Sequence, residues 1–195
     1  MENIDERLTR MELAMREPAF REEYGKTNEI NYWIFDYDPA DELKVRARVD
    51  NIAEKHKPGK SSMEIVKFDL YDVIIDYLRD KRPDERFLKK TYEFEERKGL
   101  EKVIDAVSHT LRIDDDGGYI IDYIKERISS ESIIFLTGIG KCYPLLRSHR
   151  VLNGMQQAMI KNPTILFFPG KYDGQRLKLF NEILDDNYYR AFRLV

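Results

Sequence analysis

The stretch Leu136-Thr137-Gly138-Ile139-Gly140-Lys141, where an apolar run ends in two glycines and a lysine, comes nearest to a site that could hold or transform a ligand. A strand that stops at a glycine turn and feeds a helix is suited to phosphate, because N–H groups at a helix start converge and favour an anion. The phosphate loop of nucleotide hydrolases needs Gly-x-x-x-x-Gly-Lys-Ser/Thr. Here Phe135 stands where the first glycine belongs, and Cys142 replaces the hydroxyl that would hold magnesium. Gly138, Gly140 and Lys141 therefore read as a turn able to hold an anion weakly, and a plain strand-to-helix turn accounts for the same residues.

Other candidate chemistry is thinner. Asp36 and Asp38 follow an apolar run and could imitate the metal-holding acid of a nucleotide enzyme, but Asp38 before Pro39 is already explained as a helix cap. His56, His109 and His149 have no second histidine at ligand spacing, and Cys142 is the single cysteine, so no metal site and no disulfide are expected. Cys142 and His149 are seven residues apart, and two helical turns do not bring them into hydrogen-bond reach. No complete catalytic set can be assembled, and the expectation is a protein that is not an enzyme and carries no cofactor.

Basic residues gather twice, at Lys141, Arg147, His149 and Arg150 and at Lys171, Arg176 and Lys178. Nucleic acid is one reading of such patches. The chain's 33 basic and 36 acidic residues give a net charge of -3, so no global field draws it to phosphate, and protein-facing or solvated surfaces fit better. Met1 to Arg16 lacks the apolar core of a secretory signal, and the longest apolar runs are far short of the ~20 residues a membrane helix needs. A cytoplasmic location with no membrane partner is expected.

Periodicity along the chain outlines the helices and strands that carry these residues. Ile4, Leu8, Met11 and Met15 share a helix face; Tyr32–Asp36 is β-favouring; Val45, Val49, Ile52 and Ala53 mark the helix after Asp38-Pro39. A second strand within 61–68 leads to a helix capped by Asp69, with Leu70, Val73, Ile74, Tyr77 and Leu78 as its stripe. Residues 84–128 read as a helical insert. Ile133–Leu136 and Ile165–Phe168 are continuous apolar runs, as in strands buried on both faces. Helix is expected over 144–157, a short amphipathic segment over 177–184, and a last strand within 189–195. The whole is one α/β domain, residues 1–195: a mostly parallel sheet flanked by helices, a Rossmann-like or P-loop-like layered sandwich, with the order of its strands left open.

Three stretches together resemble the BrxB family of BREX (bacteriophage exclusion) defence systems. They are Phe135–Lys141 with Tyr143-Pro144 and Arg147-Ser148-His149, then Phe167–Gln175, then Asp186–Phe192. The resemblance implies a non-catalytic component of a phage-blocking assembly, an adaptor whose expected partner is PglZ, a protein with a phosphatase-like domain. Where the family's motif occurs, it makes Lys141, Arg147, Lys171, Asp173, Tyr188 and Arg190 candidates for partner binding or for specifying the fold. A degenerate nucleotide-binding protein and a nucleic-acid-contacting subunit of the same system are the alternatives.

Overall fold

The computed structural model describes residues 3–17, 20, 31–81, 86–113, 118–185 and 191–195. Helix α1 (Ile4–Ala14) precedes strand β1 (Tyr32–Tyr37), a single 3-10 turn (Pro39–Asp41) and α2 (Glu42–Lys55). Then come β2 (Ile65–Asp69), α3 (Leu70–Lys81), α4 (Arg86–Lys98), α5 (Leu100–Leu111) and α6 (Gly118–Lys125). The C-terminal part holds β3 (Ile133–Thr137), α7 (Ile139–Cys142), α8 (Ser148–Gln157), β4 (Thr164–Tyr172), β5 (Leu177–Leu179), β6 (Ile183–Asp185) and β7 (Phe192–Arg193).

Five strands pair in parallel in the order β2-β3-β4-β1-β7, so β4, late in the chain, lies beside β1. The pairing buries both faces, which explains the unbroken apolar runs in β3 and β4. Ile134, Leu136, Leu166 and Phe168 face one core with α3, α6 and α8. Ile133, Phe135, Ile165 and Phe167 face the other, with α1 and α2. On that second face Phe35, Phe167 and Phe135 form an aromatic row across β1, β4 and β3, with ring centroids 5.6 and 5.1 Å apart. Burying each ring stabilises the sheet by roughly 1.5–3 kcal/mol relative to exposure.

The helix stripes fall where periodicity puts them. Ile4, Leu8, Met11 and Met15 are buried, and Asp38 Oδ1 accepts the Ala40 N–H at 2.9 Å to cap the 3-10 turn. Between β2 and β3 the described residues are mainly helical, with α4 and α5 packed against each other. Two segments differ from the sequence reading. The helix expected over 144–157 starts only at Ser148, because Arg147 is extended and the chain before it carries Leu146 into the core. The segment 177–184 is not one amphipathic element: β5 and β6 form an antiparallel pair that continues from the end of β4. Leu177 and Leu179 are inward there at a period of two, a signal too short to separate strand from helix in the sequence. The last strand is short, Phe192–Arg193; part of the Asp114–Gly118 turn and residues 186–190 lie outside the described residues. Among the described residues no helix is long and apolar enough to cross a membrane.

Candidate functional site

The C-terminal ends of β1 to β4 meet at one edge of the sheet, where open α/β folds carry their sites. Three groups of charged residues lie there.

The first is the glycine turn. Gly138 links β3 to α7 with φ +79°, and a Cβ there would fall 2.3 Å from Asp69 Oδ1. That carboxylate has left the end of β2 to cap α3: Oδ1 accepts the Tyr71 N–H at 3.1 Å, and Oδ2 lies 2.6 Å from Lys141 Nζ. Lys141 Nζ also stands 5.2 Å from the centre of the Tyr71 ring. Gly140 packs closely too, since a Cβ would come within 3.0 Å of Pro169 and of the Phe180 ring. The turn, read from sequence as a weak anion holder or a plain strand-to-helix turn, has the protein's own Asp69 carboxylate packed against it, and Lys141 is engaged with that carboxylate.

Cys142, one residue on, is buried, and its thiol is pushed up to about 12, first by burial and then by the Asp69 charge. Across the edge, burial and the bond to Glu42, 2.5 Å away, push the Tyr37 hydroxyl above its ordinary range. Both groups hold their protons more tightly folded than unfolded, so stability should fall as pH rises above about 9, where unfolded Cys ionises, and further above about 10 for Tyr. A melting series from pH 8 to 11 checks this, and Cys142→Ala and Tyr37→Phe should each flatten the decline. Ellman's reagent should leave Cys142 untouched at neutral pH until denaturant is added.

The second group surrounds Asp36, which is buried at the end of β1. Its Oδ1 accepts from Arg7 Nη2 and from Arg193 Nε, each at 3.1 Å. Its Oδ2 accepts from Arg193 Nη2 at 2.9 Å and from the Tyr172 N–H at 3.0 Å. Arg7 also donates to the Val195 carbonyl at 3.0 Å and lies over the Phe35 ring. One carboxylate therefore ties together α1, β1, the end of β4 and the C-terminal strand. The Asp36 carboxylate is engaged with two arginines and a backbone N–H, and among the described residues no cluster of three or more His, Cys, Asp or Glu is gathered.

The third group is His149, whose Nδ1 lies 3.1 Å from Asp185 Oδ2 with both side chains mostly buried. Asp185 borders a small cleft that is also lined by Tyr143, Arg147, Ser148, Leu146, Phe168 and Leu179. Arg147 is exposed at its rim, immediately before α8. Sequence spacing gave no sign of this pair, because Asp185 comes from β6.

Of the other predicted residues, Asp173 closes the β4–β5 turn: its Oδ1 accepts the Gln175 and Arg176 N–H groups at 2.9 and 2.7 Å. The Arg176 N–H first, then that of Gln175, holds its carboxyl below the ordinary aspartate range. The Asp173 carboxylate thus shapes the turn between β4 and β5. Lys171 points outward from β4. Tyr188 and Arg190 lie outside the described residues. The two basic clusters fare differently, since Lys141 and His149 face carboxylates while Lys171, Arg176 and Lys178 gather on one hairpin.

Against this geometry the comparisons with known proteins are specific. The family model described as BREX protein BrxB matches residues 66–194. The chain belongs to the BrxB family. A BREX protein BrxB of Bacillus cereus (strain H3081.97) is 41% identical over 195 residues, covering 100% of this chain and 99% of the relative. A BREX protein BrxB of Escherichia coli O9:H4 (strain HS) is 29% identical over 198 residues, covering 98% of this chain and 92% of the relative. No solved structure matches the chain. BrxB membership makes this chain a BREX component, in agreement with the resemblance carried by Phe135–His149 and Phe167–Gln175. The matched span runs from β2 to β7 and takes in the Gly138 turn, the His149–Asp185 pair and the β4–β5–β6 hairpin.

Proposed function

We propose that this BrxB-family chain is a non-catalytic adaptor of a BREX antiphage complex, and that its partner is the PglZ phosphatase-like component. The observation that carries the reading is the mutual engagement of charged groups at the edge of the sheet: Asp69 with Lys141, Asp36 with Arg7 and Arg193, His149 with Asp185. Groups matched to one another in this way hold loops in a single arrangement rather than offering a base or a cradle to a substrate. A surface already held in its bound shape loses less entropy on docking, which is what an adaptor needs. Catalysis then rests with the other members of the system.

Mixing purified protein with PglZ at micromolar concentration should give co-elution on size exclusion. Separate elution of two folded proteins over a range of salt concentrations would count against the adaptor. So would turnover of any substrate by the pure chain that is abolished by changing one of its own residues.

A further inference from the structure

The ribbon formed by the end of β4 with β5 and β6 has one face in the core and one in water. Register pairs Lys171 with Lys178, and Lys178 in turn with Leu184. Tyr172, Leu177 and Leu179 point inward and are buried, whereas Lys171, Lys178 and Leu184 share the outer face. Two lysines thus stand directly opposite on neighbouring antiparallel strands, where like charges repel. Neither lysine side chain forms an ion pair or a hydrogen bond among the described residues, and the hairpin's Asp173 is taken up by the turn and by Arg176. Leu184, 47% exposed, completes the row, and Phe180, 37% exposed, adds an aromatic ring at the β5–β6 turn.

A fold built for stability alone would place an acid opposite one of these lysines. An anion supplied from outside removes the same repulsion. We propose that this outer face docks an acidic segment of a protein, whose carboxylates bridge Lys171 and Lys178 while an apolar side chain rests on Leu184 and Phe180. Nucleic acid fits less well. A phosphate backbone could bridge the two lysines but has no apolar side chain to cover Leu184 and Phe180, which a protein segment supplies. The inference deepens the adaptor reading by naming a surface, and it rests on that reading only for the identity of the partner.

Fluorescence anisotropy with a labelled short peptide of repeated Asp-Glu-Leu, and with a DNA duplex of equal charge, tests the face. The wild-type chain should bind the peptide more tightly than the duplex, with affinity falling as salt is raised. The double reversal K171E/K178E should weaken the peptide about tenfold or more. Lys178→Glu alone creates an opposite-charge cross-strand pair, so it should melt at or above the wild-type temperature while still losing peptide affinity. Absence of peptide binding, tighter binding of the duplex, or binding unchanged by the reversals would each overturn the proposal. PglZ that co-elutes equally with wild type and K171E/K178E would overturn this surface and leave the adaptor standing. PglZ that binds neither protein, with the peptide still bound only by wild type, would do the reverse.

Discussion

Asp36→Ala should cost about 3–5 kcal/mol, the range seen when one partner is removed from a buried charge pair. The loss comes from what the carboxylate leaves behind. Arg7, its side chain largely buried, keeps a guanidinium charge that is left with the Val195 backbone oxygen and the Phe35 ring, and the buried Tyr172 N–H loses its acceptor. For a chain of this length each kcal/mol moves the melting temperature by about 2–4 °C, so a fall of about 6–20 °C is expected in a thermal melt. Asp36→Asn, which keeps the shape and an oxygen for the Tyr172 N–H, should lose clearly less. Arg193→Ala should lose under about 1 kcal/mol, because Arg193 is 55% exposed and water replaces it. That ordering separates a buried charge centre from a set of surface ion pairs. An Asp36→Ala protein that melts within a degree or two of wild type would mean that the carboxylate does not hold α1, β4 and the C-terminal strand together.

Gly138→Ala is expected to have the next largest effect, about 2–3 kcal/mol. About 1–2 kcal/mol of it comes from forcing an L-residue into the left-handed region. The rest, about 1 kcal/mol, comes from pushing the Asp69 carboxylate off the start of α3, since the new Cβ would lie 2.3 Å from Oδ1. Equilibrium unfolding in urea measures the loss, and the double variant Gly138→Ala with Asp69→Ala should lose less than the sum of the two singles, because they share one cause. Additive losses would show that the turn and the carboxylate act separately. The result also bears on how the glycine turn is read: in a phosphate loop the glycine makes room for a ligand, whereas here it makes room for Asp69.

Much of this architecture is legible along the chain. Ile133–Leu136 and Ile165–Phe168 announce buried parallel strands, and the stripe Ile4, Leu8, Met11 and Met15 announces α1. Asp38 and Asp69 announce the 3-10 turn and α3, whose first N–H groups they accept. These are local signals, in which a residue's role depends on neighbours within about one helical turn or one strand. The family, too, is readable from Phe135–His149 and Phe167–Gln175. The defective Gly138–Lys141 motif argues against nucleotide chemistry from sequence alone, but nothing in its spacing says that Asp69 packs against the turn.

Which distant charges meet is settled in three dimensions. Asp36 and Arg193 are 157 residues apart, and they pair because β1 is inserted between β4 and β7. His149 reaches Asp185 because 177–185 turns back as two strands rather than continuing in one element. Lys171 faces Lys178 through a register that the Asp173 turn sets, and a shift by one residue would send one of them to the core. Periodicity determines which side of an element is apolar. Strand order and register determine what that side, and its polar ends, will touch, and they arise from the joint burial of both sheet faces rather than from any local stretch of chain.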